Sequence, residues 1–195
     1  MKILALAALA AAFTPALAAA APAYLPSRDV TVQYTLSGTG QAPASYQLSY
    51  NAANQLARVD SPTGFYVLAN LPAAQAEIVL PALHAIVQAP DFSALTSEIY
   101  HAGNARFSPL GTGYYAGLEC RKYLVTDQHG TARACITQDG VILHFARQNG
   151  HGGADVTATS VTFARQPPGV FAPPENFTPL NLPPGALQAL LQPQG

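Results

Sequence analysis

The segment Val30–Tyr50, VTVQYTLSGTGQAPASYQLSY, alternates apolar and polar residues twice, on either side of a glycine-rich break. In VTVQYTL, Val30, Val32, Tyr34 and Leu36 fall on one side and Thr31, Gln33 and Thr35 on the other. YQLSY repeats the pattern with Tyr46, Leu48 and Tyr50. Side chains on a strand point alternately to its two faces, so a period of two marks an antiparallel strand with one face buried. Further breaks recur at short intervals along the chain: NAAN (51–54), SPTG (61–64), NLP (70–72), DQHG (127–130), QDG (138–140) and NGHGG (149–153). Each supplies Gly, Asn, Asp or Pro for turn geometry, and Asp139-Gly140 between two apolar runs signals a two-residue hairpin. The expectation is a mainly β protein, an antiparallel meander of nine to eleven strands.

Four segments need separate treatment. AAQAEIVLPALHAIVQ (73–88) is rich in alanine, but Pro81 in its middle and Ile78, Val79, Ile86 and Val87 around it favour two strands. In PDFSALTSEIYHAG, Asp91 can cap a helix carrying Phe92, Leu95 and Ile99 at helical spacing, with Gly103 to end it. The tail PPGVFAPPENFTPLNLPPG holds seven prolines in nineteen residues, so it is irregular or a cover strand. GALQALLQ (185–192) can add a final turn or two of helix.

At the N-terminus, Lys2 precedes the eleven-residue apolar run ILALAALAAAF, and Ala16-Leu17-Ala18 and Ala21-Pro22-Ala23 are both acceptable cleavage signals. Residues 1–23 are therefore expected to be a Sec signal peptide, leaving a soluble periplasmic product of about 175 residues. A membrane span needs about 20 apolar residues, and Pro15 and Pro22 cut this run short. No integral membrane segment is expected in the mature chain. Without Lys2 the chain carries 8 Lys and Arg against 10 Asp and Glu, so nothing in it attracts nucleic acid. Only 10% of residues are charged, which leaves the polar surface to Gln, Ser, Thr and Asn. The chain has no tryptophan, which removes the Gly-x-Trp feature of lipocalin-like barrels.

The two cysteines, Cys120 and Cys135, lie in GLECRKYLVTDQHGTARACITQDGVILHF. If a hairpin pivots around Asp127 to His129, they stand opposite or nearly opposite on neighbouring strands, within reach of a disulfide. An oxidising compartment would form it, and closing a loop of this length is worth roughly 3 kcal/mol. A redox pair would instead show Cys-x-x-Cys at a helix N-terminus, which is not the pattern here.

This stretch carries a resemblance. GLECRKYLV and GTARACITQDGVIL, preceded by DVTVQYTLSG and GFYVLANLPAAQAEIVLPALHAIVQ and followed by ATSVTFARQPPGVFAPPENF, resemble DUF4412-type periplasmic proteins. These are similar to the LolA/LolB lipoprotein-carrier superfamily. The likeness spans roughly residues 28–182, within a single domain taken as 24–182 and followed by a tail at 183–195. It implies an incomplete, strongly curved half-barrel with one or two short helices over its concave face. It carries no catalytic residue.

Reading for chemistry gives little. His129 and His151 sit in turns, His84 and His144 on strands, and His101 in the expected helix. His151 with Asp155 lacks a further ligand at zinc spacing. There is neither a Gly-x-Ser-x-Gly elbow nor a phosphate loop between strand and helix, so no enzyme, metal or cofactor is expected. Apolar residues are the candidate ligand contacts: Val32, Tyr34, Tyr46, Leu48, Phe65 and Val67 on the sheet, and Leu95 and Ile99 on the helix. FYVLAN and EIVLPALHAIV are more apolar than a strand with one wet face needs, so either the Pro-rich tail or a ligand covers the concave side. The expected partner is a hydrophobic ligand such as a lipid or acyl chain, or a lipoprotein, bound by a monomer. The alternative is an interaction module with a fully packed core.

Overall fold

Strand β1 (Val30–Ser37) lies in the middle of a single twelve-stranded sheet, in a computed structural model that describes residues 21–38, 42–88, 105–127, 130–149 and 152–181. From β1 the chain steps outward through β2 (Ala44–Asn51), β3 (Leu56–Asp60), β4 (Tyr66–Asn70), β5 (Gln75–Leu80) and β6 (Ala85–Gln88). It resumes at the other edge with β7 (Arg106–Tyr115) and returns through β8 (Leu118–Asp127), β9 (Gly130–Ile136), β10 (Ile142–Asn149) and β11 (Gly152–Thr162). β11 pairs with β1 and so joins the two meanders, while the short β12 (Thr178–Leu180) adds to β6 in parallel. The result is one large, curved, open sheet. Bulges at Gln33/Tyr34, Pro109/Gly111 and Ile142/His144 increase its local twist. There are twelve strands among the described residues, one more than the upper expectation, because the Pro-rich tail contributes β12. The helix expected over 91–102 lies outside the described residues.

The turns explain why the meander is so regular. Ser61-Pro62-Thr63-Gly64 and Thr137-Gln138-Asp139-Gly140 close alike: the glycine N–H donates to the carbonyl three residues back, at 3.3 and 3.1 Å. Each glycine has a positive φ, 88° and 83°, which makes a three-residue loop ending in a left-handed residue. Asp139-Gly140 thus marks a hairpin, but not the two-residue one expected. At Asn51 and Asn70 the side-chain oxygen accepts the N–H three residues on, from Asn54 and Ala73, and turns the chain into the next strand.

Between β5 and β6, Pro81 opens a single 3-10 turn (Pro81–Leu83). His84 closes it in the left-handed region with φ 47°, so this histidine is a turn residue and not the strand residue expected. It donates its N–H to the Pro81 carbonyl, accepts from the Thr178 N–H at 2.9 Å, and its ring meets Phe177.

The Pro-rich tail is a cover. Gln166 is buried, with its N–H on the Asp29 carboxylate at 2.8 Å and its amide on the Thr31 hydroxyl at 3.0 Å. The carbonyl of Val170 accepts from Arg58, and Phe177 packs against Tyr66, Leu68 and Val79. Register places Thr31, Arg58, Leu68 and Tyr66 on the opposite side of the sheet from Val32 and Val67. The described tail therefore lies over the second face at the start of β1 and on β3, β4 and β5. This accounts for the excess apolarity of FYVLAN and EIVLPALHAIV: β4 and β5 are covered on both faces, with Tyr66, Val67 and Leu68 all buried.

On the second meander, Cys120 and Cys135 are joined, with their Cα atoms 5.4 Å apart. Lys122 is the residue opposite Cys135, so the bond runs diagonally to a position two residues nearer the start of β8. It fixes the point where β7 and β8 run past the end of β9. Beyond it, the Tyr115 ring stacks on His144 of β10 at 4.9 Å, which shows that the hairpin tip folds back onto the sheet.

Candidate functional site

The first face of the first meander carries continuous apolar rows. Val32, Leu48, Val59, Val67, Ile78 and Val87 stand opposite one another across six strands. A parallel row runs through Val30, Tyr50, Ala57, Ala69 and Ala76, and Tyr34 stands opposite Tyr46. Strand alternation thus brings five of the expected ligand contacts (Val32, Tyr34, Tyr46, Leu48 and Val67) to one face. Phe65 joins them from the turn before β4, where it packs on the Val67 and Ile78 cluster. Leu95 and Ile99 lie outside the described residues.

Burial divides this face in two. Val30, Val32 and Ile78 are 0% exposed and Val87 2%, so they are packed core. Tyr34, Leu36, Tyr46, Leu48, Val59 and Phe65 are half-buried and form a contiguous patch across β1, β2, β3 and the start of β4. Val32 therefore belongs to the core, and the patch beside it stays partly exposed. Tyr34 has a further constraint. Its hydroxyl donates to the Ile142 carbonyl at 2.7 Å, beside the bulge that interrupts the β9–β10 ladder. Burial pushes its phenol well above the usual range. That hydroxyl is spent on the fold, and Tyr46 is the other half-buried tyrosine of the patch.

A polar cluster missed by the sequence reading lies on the second meander. Asp155 accepts from His144 Nε2 at 3.0 Å through one oxygen and from the Thr157 hydroxyl at 2.9 Å through the other. An ionised carboxylate only accepts, so Nε2 carries the hydrogen. The β10–β11 register puts His144 opposite Thr157 and Ala146 opposite Asp155, and that register was the available signal. With Tyr115 stacked on the ring, the cluster holds the β7–β8 tip to the sheet. Burial raises the Asp155 carboxyl, but the hydrogen bonds from His144 and Thr157 outweigh it and hold the group below its usual range. A depressed carboxyl stabilises the fold above its unfolded value, and the contribution is lost as pH falls through the folded value. Asp155→Asn should therefore lower stability at neutral pH and flatten the acid limb of a stability–pH curve. Because Asp155 is 42% exposed, solvent screening limits the effect to about 1 kcal/mol or less. Equal acid sensitivity of both proteins in pH-dependent denaturation would contradict this assignment.

A cleft of about 630 Å³ opens beside β8, lined by Thr112, Glu119, Arg121, Tyr123, Ile136 and Gln138 among others. Its mixed lining does not suit an acyl chain. Among the described residues no three His, Cys, Asp or Glu side chains stand together at metal-binding range, and no helix is long and apolar enough to cross a membrane.

This arrangement has solved counterparts. The chain is similar in fold to an uncharacterised conserved protein from Thermus thermophilus. The two share 13% identity with a TM-score of 0.58, over 79% of this chain and 90% of that one. That likeness shows the fold and nothing further. Looser likenesses reach the Pseudomonas aeruginosa MucA/MucB complex, with a TM-score of 0.47 and 10% identity over 80% of this chain and 62% of that one, under two thirds of its length. They also reach a LolA superfamily protein from Nitrosomonas europaea, with a TM-score of 0.39 and 10% identity over 77% and 92%. Scores this low carry no functional argument. No protein-family model and no curated protein matches the sequence, so the narrower DUF4412 resemblance is not shown.

Proposed function

We propose that this is a non-enzymatic binding protein that holds an apolar chain, such as a lipid acyl group or the lipid of a lipoprotein, against the half-buried patch on the first face. Supporting the reading is the patch itself: Leu36, Tyr46, Leu48, Val59 and Phe65 stay partly exposed, while on β3 and β4 the described Pro-rich tail covers the other face. Contiguous apolar surface that stays partly accessible is the kind of surface from which ligand-binding grooves are built. The disulfide fits an oxidising compartment, and with residues 1–23 read as an export signal the proposed place of action is the periplasm, as a monomer. The rival reading, an interaction module with no small ligand, draws on the 0–9% exposure of Val30, Val32, Val67, Ile78, Leu80 and Val87, which leaves that part of the face filled.

An environment-sensitive fluorescent fatty acid should bind the native protein saturably at micromolar concentration. Phe65→Ser and Tyr46→Ser should each weaken that binding by about fivefold or more, the scale of losing roughly 1–2 kcal/mol of apolar contact. Val32→Trp is the wrong probe, since a fully buried position reports on core packing. Absence of saturable binding, or binding untouched by both serine variants, would remove the reading.

A further inference from the structure

The two edges of the sheet differ. β12 is three residues long, whereas β7 is a ten-residue strand whose outer side pairs with no strand among the described residues. Such an edge offers a row of backbone donors and acceptors to any extended chain. Pro109 and the bulge at Pro109/Gly111 blunt its first half, which leaves Gly111–Tyr115 as the open stretch. β7 also carries Leu110 and Tyr114, 54% and 70% exposed, two of the three exposed large apolar side chains among the described residues. Around them the charge is one-sided. Arg106, Arg121, Lys122 and Arg133 are all exposed on β7, β8 and β9, against Glu119 and an Asp127 that is ion-paired with Arg147 at 2.7 Å.

We infer that the outer edge of β7 receives an extended acidic segment of a partner polypeptide as an added strand. Main-chain hydrogen bonds along Gly111–Tyr115 supply the pairing, and Leu110 and Tyr114 give apolar contact at either end. Arg106, Arg121 and Lys122 select acidic side chains over basic ones. A second copy of this chain is disfavoured as the occupant, because pairing β7 with itself brings the two sets of cations together. The edge is separate from the acyl patch, so the two readings stand or fall independently.

The test uses a fluorescein-labelled peptide of about eight residues alternating valine and glutamate, long enough to match one strand. Anisotropy should show saturable binding to the full-length protein that weakens as salt rises. The same peptide with lysine for glutamate should bind at least about tenfold more weakly, as should one N-methylated on alternate backbone amides, which cannot pair with an edge. An Arg106→Glu/Arg121→Glu variant with an unchanged circular dichroism spectrum should lose affinity by a similar factor. If that variant misfolds, the N-methylated peptide against the unaltered protein decides. Equal binding of acidic and basic peptides, indifference to N-methylation, absence of saturable binding, or a dimer that forms through β7 in sedimentation would each overturn the inference. A saturating fatty-acid probe should leave the peptide affinity unchanged.

Discussion

Cys120→Ser is expected to lower the free energy of unfolding by about 2–4 kcal/mol, read from urea or guanidinium titration. The bond closes a loop between residues fifteen apart, and both sulfurs are buried, with Cys120 3% and Cys135 1% exposed. Breaking it releases the unfolded chain from that closure and leaves a buried thiol beside a hydroxyl of poorer fit. It also frees the β7–β8 tip, which runs past the end of β9 and is otherwise held by the Tyr115–His144 stack. Faster amide exchange should therefore appear first in residues 113–120, ahead of any change in β1–β5. A variant as stable as the parent, or one loosened uniformly, would show that the disulfide does not staple this tip.

Ile78→Ala should cost about 2–5 kcal/mol, the range for deleting a fully buried aliphatic side chain from a core that cannot collapse around the gap. Ile78 is 0% exposed and stands between Val67 and Val87 in the row that crosses the first meander. On the same scale Leu83→Ala, at a side chain 54% exposed in the turn between β5 and β6, should change stability by no more than about 0.5 kcal/mol. Thermal or chemical denaturation of the pair checks the contrast. Similar costs at both positions would mean that this row is not the core of the first meander.

Much of the architecture was legible in the residues because alternation and turn chemistry are local. VTVQYTL and YQLSY fixed two neighbouring strands and the face their apolar residues share, and Pro81 correctly split an alanine-rich run into two strands. The cysteine spacing located a hairpin and its cross-link to within two residues of register. Long-range features were not legible. Nothing in PPGVFAPPENF says which face of the sheet it covers, since that depends on Asp29, Thr31 and Arg58 meeting Gln166 and Val170 more than a hundred residues away. For the same reason the apolar excess of β4 and β5 left open whether the tail or a ligand covers it, and the tail's Phe177 meets Tyr66, Leu68 and Val79. The candidate patch was legible in part: Tyr46, Leu48 and Phe65 fell on the half-buried region, whereas Val32 and Val67 fell in packed core, because period two gives the face but not the depth.

The most direct test of the binding reading is mass spectrometry of the protein purified without detergent from a bacterial periplasm, sprayed under native conditions and then denatured. A native mass above that of the processed, disulfide-bonded chain is expected, with the excess released on denaturation as one or a few acyl lipids and much reduced in Phe65→Ser. A native mass equal to that of the bare chain, together with no saturable uptake of added fatty acid, would contradict it.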